Sequence, residues 1–136
     1  MHGSPDFSGE WNLDLELSRL EIPAPTCSTV RIEHREPSFD LYAQHVWEER
    51  SRTVHFELTT DGKEVVEKEA DGRVTHLRMY WEGDTLILDA WWPEGEAKAT
   101  NIVKYSLSAD GRTLMADERA KALKYAYHNL WIMRKS

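Results

Sequence analysis

The chain contains a single cysteine, Cys27, so its fold cannot rest on an internal disulfide or a cysteine-based metal cluster. No apolar run approaches the roughly 18 residues that a membrane-crossing helix needs, and no charged-then-apolar leader opens the chain. No membrane span is expected. The chain reads as cytoplasmic, with an exported mature domain as the alternative. Positive charge is also scarce: 17 Lys and Arg stand against 24 Asp and Glu, for a formal net charge of −7. Affinity for a phosphate backbone comes from clustered cations, so nucleic acid is excluded as a partner. The histidines show neither H-x-H nor H-E-x-x-H spacing, and no cofactor is expected.

What is present fits one domain over residues 1–136, with 1–5 read as a disordered or tag-derived lead-in containing a cloning scar, Met1-His2-Gly3-Ser4. At 136 residues the chain can bury a core without staples. Six tryptophans and five tyrosines are a heavy aromatic load. In a β protein they fill a core, line a cavity or cover an outer face.

Period-two alternation runs through most of the sequence. A first strand is expected over Phe7 to Leu13, followed by a connector broken by Pro23 and Pro25, which cannot sit in a central strand. That connector, or one short helical turn within it, is expected to lie across a barrel end. Further strands follow from Thr26 to Arg35, Phe39 to His45, Val54 to Leu58, Lys63 to Ala70, Val74 to Trp81, Thr85 to Trp92, Lys98 to Leu107, Thr113 to Arg119 and Tyr125 to Arg134. Asp61-Gly62, Asp71-Gly72, Gly83-Asp84 and Asp110-Gly111 supply hairpin turns between them. Asp117 to Tyr127 is alanine-rich enough to suggest a helix, but reads better as two strands joined around Lys121 to Lys124. A meander of consecutive hairpins leaves exposed edges unless it closes. The expected fold is all-β: a single closed or nearly closed antiparallel up-and-down barrel of about 8–10 strands.

Gly9-Glu10-Trp11 and the terminal Leu130-Trp131-Ile132-Met133-Arg134 together resemble the signature of calycin barrels, which include lipocalins, fatty-acid-binding proteins and bacterial lipocalin-like proteins. The likeness extends to turns such as Thr60-Asp61-Gly62-Lys63, Trp81-Glu82-Gly83-Asp84 and Ser108-Ala109-Asp110-Gly111. It implies a barrel with a lid-like connector and transfers no activity. In such a barrel Arg134 is expected to cover the Trp11 indole.

Strand parity then nominates the interior. Counting back from Arg134 puts Ile132, Leu130 and His128 inside, joined by Val30, Ile32 and His34; Leu41, Ala43 and His45; Phe56 and Leu58; Leu77, Met79 and Trp81; Leu86, Leu88 and Ala90; Asn101, Val103 and Tyr105; and Ala116 and Glu118. Of these, His45, Phe56, Met79, Trp81, Ala90, Asn101, Tyr105, Glu118 and His128 are candidate ligand contacts. His45, Asn101, Glu118 and His128 stand out because a buried polar group needs a partner, a water or a ligand.

Three functions follow. The leading one is binding of a small apolar or aromatic ligand in the barrel, by a monomer or homodimer. The alternative is a cofactor-independent isomerase, cyclase or lyase, in which Glu118 lies opposite His128 to form a general base while Tyr105 and Asn101 hold an oxyanion. The third is a filled barrel that serves only as an interaction surface. Metal binding is not expected. His34 and His45 lie at opposite ends of one hairpin, on the order of 20 Å apart, too far to share an ion. Of Trp91 and Trp92, one faces in and the other out, where it could mark a dimer contact.

Overall fold

The computed structural model describes residues 4–136, so the expectation for the lead-in lies, for Met1 to Gly3, outside the described residues. Ten strands form one sheet: β1 (Gly9–Leu13), β2 (Cys27–Arg35), β3 (Ser38–Val46), β4 (Ser51–Thr59), β5 (Val65–Lys68), β6 (Val74–Glu82), β7 (Thr85–Glu94), β8 (Ala97–Leu107), β9 (Thr113–Lys121) and β10 (Ala126–Lys135). Their order is β4-β3-β2-β1-β10-β9-β8-β7-β6-β5, and neighbours run antiparallel. The sheet curls into a nearly closed barrel. No helix is present among the described residues, and hence none long and apolar enough to cross a membrane.

Burial alternates along the strands as hydrophobic periodicity demands, most plainly in β2, where Ser28, Val30, Ile32 and His34 are buried and their neighbours exposed. The two ends of the barrel are built differently. At the end holding the β2–β3 turn, Phe7, Trp11, Phe39 and Leu86 are almost fully buried. Phe7 stacks on Trp81 and packs edge-on against Phe39 and Tyr105. The Trp11 indole N–H donates to the Phe7 carbonyl at 3.1 Å, so the first residues fold back as a plug. Gly9 makes that turn possible. Its φ is +141°, and a Cβ there would lie 2.8 Å from the Lys135 side chain.

β4 and β5 are the edges of the sheet, so backbone pairing does not close the barrel between them. Closure comes from the segment after β4, which bridges to β6 through Asp61 and Tyr80, with the Gly62 amide donating to the Met79 carbonyl at 2.8 Å. Glu36, in the β2–β3 turn, fastens this seam. Its carboxylate accepts hydrogen bonds from Thr60 Oγ1 (2.7 Å), Trp81 Nε1 (2.7 Å) and His34 Nε2 (3.0 Å). The Phe7 amide donates to His34 Nδ1, which leaves Nε2 to carry the proton toward Glu36.

The connector from Asp14 to Pro25 continues along β10 where β1 stops. The Asp14 amide donates to the Ile132 carbonyl, Arg19 bridges Leu130, and the Trp47 indole N–H donates to the Pro23 carbonyl. Leu20 and Ile22 pack against the core. The expected connector thus forms, without a helix, along one wall and toward the β3–β4 loop.

One strand departs from expectation. β10 pairs with β9 so that Glu118 faces Asn129 and Arg119 faces His128, one residue away from the expected register. The strands are joined by a four-residue turn closed by the Ala122 amide and Tyr125 carbonyl. A one-residue slip inverts a strand. Asn129, Trp131 and Met133 therefore face in, while His128, Leu130, Ile132 and Arg134 face out. Arg134 pairs with Asp14 at 2.9 Å, and it is Lys135 whose ammonium lies 5.5 Å above the Trp11 ring.

Burial by itself would raise the Glu36 carboxyl's pKa, but the hydrogen bonds from His34, Thr60 and Trp81 outweigh it and hold the group below the usual carboxylate value of 4.5. A depressed folded pKa means that this contribution to stability is present above that value and is lost as pH falls through the folded one. Glu36→Ala is expected to lower stability by about 1–2 kcal/mol at neutral pH, because it strands the buried His34 and Thr60 donors. In urea melts between neutral and acid pH the variant should also lose less stability on acidification than the parent does.

Candidate functional site

At the other end of the barrel the inward positions carry small side chains. Ala90, Asn101 and Ala120 form one cross-strand row, and Ala43 is a further small buried residue on β3, paired with Val30. The layer beneath holds Leu88, Val103, Glu118 and Asn129. Leu77, Leu88, Ala90, Val103, Ala116, Tyr105 and Trp131 each keep 7–8% of their surface accessible although they face inward. The plug residues Phe7, Trp11 and Leu86 keep none. The inward side chains of this half are thus slightly more accessible than those of the plug.

Glu118 is the polar centre of that half. One carboxylate oxygen accepts from Trp131 Nε1 at 2.9 Å and Asn129 Nδ2 at 3.1 Å; the other accepts from Asn101 Nδ2 at 3.0 Å. Asn129 is fully buried, and its carbonyl oxygen accepts the Glu21 amide from the connector at 2.8 Å. Each amide in the cluster is oriented by the bonds it makes. Asn101, oriented through its Nδ2, keeps its Oδ1 buried without any hydrogen-bond partner. Tyr105 lies within electrostatic reach, and burial first and the Glu118 charge second push its phenol well above the ordinary value of 10.0. Burial and Glu118, in that order, also raise the half-buried Tyr127.

His45 and Ser28 complete the site from the opposite wall, joined at 2.8 Å through His45 Nδ1, with the imidazole packed 5.1 Å from the Trp131 ring. Arg52, paired with His45 in register, stands exposed at the rim.

The sequence-nominated residues divide accordingly. His45, Ala90, Asn101, Tyr105 and Glu118 face this half of the barrel, and Phe56 and Met79 lie in the wall and core beneath it. Trp81 belongs to the plug, stacked on Phe7 and bonded to Glu36. His128 is on the outside, half-exposed and paired with Asp117 at 2.9 Å. The expected Glu118–His128 general base does not form, because the register that would place the two opposite each other is off by one residue. Asn129, Trp131 and Ser28 were not anticipated. Shifting β10 by one position would have found the first two.

Outside the barrel, Asp40, His55 and Glu57 bring ligand atoms within 4.8 Å of one another and could hold a metal ion. All are ordinary cross-strand neighbours on the outer face of β3 and β4, and His55 already bonds Asp40 at 2.9 Å. An outer groove of about 620 Å³ runs nearby over Phe39 and Leu58, rimmed by Glu33, Arg35, Glu57 and Lys63. Its rim carries charges of both signs, and the buried orphan acceptor lies inside the barrel instead. Trp91, the outward indole, is stacked on His76 at 3.8 Å with Lys98 above it.

No protein-family model and no curated protein matches this sequence. Solved structures do match in shape. Secretory abundant heat soluble protein 4 from Ramazzottius varieornatus superposes with a TM-score of 0.65 at 12% identity, covering 100% of this chain and 99% of that one. Apo Caenorhabditis elegans lipid binding protein 8 gives 0.65 at 13%, over 96% and 95%. A structure titled REP1-NXSQ fatty acid transporter gives 0.61 at 14%, over 95% of each. At these identities the likeness establishes the fold: a small ten-stranded antiparallel barrel.

Burial lowers the proton affinity of His45, the nearby Arg52 lowers it further, and Glu118 partly opposes both. The folded pKa thus lies below the ordinary 6.5, so the unfolded chain takes up this proton first. His45's contribution to stability is fully present above 6.5 and is lost as pH falls through the depressed folded value. Urea melts of the parent and His45→Asn from about pH 7.5 to 5 should show a smaller acid-induced loss in the variant.

Proposed function

We propose that this protein binds a small apolar molecule inside its barrel, in the half between the plug and the connector. The observation that carries this reading is the layer of small inward side chains around Glu118, with the Asn101 carbonyl oxygen buried and unpartnered within it. Binding sites are mostly apolar concavities with a few oriented polar groups, and this half of the barrel has that composition. Ala43, Phe56, Leu77, Met79 and Ala90 supply apolar contact, and His45, Asn101, Tyr105 and Glu118 orient one end of the ligand. The likeness in fold to proteins titled as lipid-binding and fatty-acid-transporting supports the same reading. So does the likeness to zebrafish ileal bile acid-binding protein complexed with cholic acid, at a TM-score of 0.58 and 14% identity.

A cofactor-independent enzyme in the same space is not favoured. Its base was to be the Glu118–His128 pair, and His128 bonds Asp117 on the far side of the sheet.

Filling the layer tests the proposal. Ala90→Phe is expected to leave the far-ultraviolet circular dichroism of a β protein intact and to weaken binding of the neutral fluorescent probe N-phenyl-1-naphthylamine by about tenfold or more, since an added ring occupies the space the probe needs. Unchanged probe affinity in a folded variant would place the probe elsewhere and reject the interior site.

A further inference from the structure

We infer that the interior selects a ligand whose buried end is uncharged and donates a hydrogen bond, such as a hydroxyl or amide N–H on an apolar body, and that it discriminates against a carboxylate. The inference rests on the preceding reading of the barrel as a binding site and specifies its ligand class.

The fixed charge inside is negative. Both Glu118 oxygens are held within the barrel by Asn101, Asn129 and Trp131, all neutral donors, and no Lys or Arg side chain bonds this carboxylate among the described residues. The field is shared with the rim cation Arg52, which outweighs Glu118 at His45 and opposes it at Tyr127, whereas the fully buried Tyr105 feels Glu118 alone. Glu118 acts to raise Tyr105, Tyr127 and His45, which means that it penalises further negative charge and favours positive charge. Arg52, the cation paired in register with His45, stands exposed at the rim. In a low-dielectric interior, bringing a second carboxylate beside an unneutralised one is costly, and solvent cannot relieve it.

Three buried polar atoms lack a partner among the described residues, Arg73 Nε, Thr75 Oγ1 and Asn101 Oδ1, and the one that belongs to a side chain bonded to Glu118 is an acceptor. The Asn101 amide nitrogen is committed to Glu118, which fixes the flip of the group and turns Oδ1 to where nothing donates to it. A buried acceptor without a partner costs roughly 1–3 kcal/mol until a donor reaches it. A hydroxyl or amide N–H supplies that donor, whereas a carboxylate has none. Sites built to hydrogen-bond a particular group reject analogues lacking it far more strongly than apolar pockets reject an extra methylene.

Matched chains isolate the head group. Titration of the full-length protein with 1-dodecanol and with dodecanoate at pH 7.5, both below their aggregation limits and followed by tryptophan fluorescence, should show the alcohol binding about tenfold tighter or more. Glu118→Gln removes the charge and should bring the two within about threefold, chiefly by strengthening dodecanoate. Asn101→Leu leaves Glu118 with its Asn129 and Trp131 donors and should weaken dodecanol about fivefold, with dodecanoate little affected. It serves as the second variant should Glu118→Gln fail to fold. Binding of both chains with dodecanoate equal or tighter in the parent would overturn the inference while keeping the interior site. Binding of neither chain would overturn the site itself and the inference with it.

Discussion

The closure of this barrel rests on the backbone bridge from the segment after β4 to β6 and on the Glu36 carboxylate that fastens it. A ten-stranded sheet whose first and last edges do not pair must be fastened by something other than the backbone ladder, and here three side chains from separate elements converge on one turn residue. His34 brings β2 and, through the Phe7 amide, the N-terminal plug; Thr60 brings the end of β4; Trp81 brings β6. Because the donors sit at one end, that end is drawn tight, and Phe7, Trp11, Phe39 and Trp81 pack into it. The edges of β4 and β5 are left unpaired further along.

An asymmetric barrel follows from that constraint. Phe7, Trp11, Phe39 and Trp81 occupy the layers next to the seam, and beyond them small inward residues such as Ala90, Asn101 and Ala120 alternate with Tyr127 and Trp131 around Glu118. The carboxylate can be kept there because indole and amide N–H groups satisfy it, and the connector satisfies Asn129 in turn through the Glu21 amide. One polar network thus orients the interior and ties the connector to the barrel wall. Removing any member leaves another without its partner, the situation in which buried polar groups are most costly.

Much of this architecture is written locally. Alternation in stretches such as Thr29-Val30-Arg31-Ile32-Glu33-His34, and glycine-containing turns between them, make strand and hairpin the cheapest local choice, so the ten elements and most inward faces can be read directly. The inward placement of Glu118 and Asn101 is legible in the same way. Two features are not local. The face of β10 is decided by whether the turn between β9 and β10 has four residues or one more or fewer, and both faces of Tyr127 to Arg134 carry apolar residues, so hydrophobicity cannot arbitrate the register. That ambiguity exchanged His128 for Asn129 and Arg134 for Lys135. Glu36 reads as a solvent-facing turn residue, since its partners Thr60 and Trp81 lie 24 and 45 residues away.

The central claim is that a ligand enters the alanine-lined half of the barrel and leaves the plug untouched. Methyl chemical-shift mapping during titration with a neutral apolar chain tests it most directly. The account predicts shifts in the Ala43, Ala90, Ala116 and Ala120 methyls and in the Trp131 indole N–H, with Leu86 and Leu114 beside the plug unmoved. Shifts confined to the outer groove around Leu58 and Val65, with those alanines silent, would contradict it.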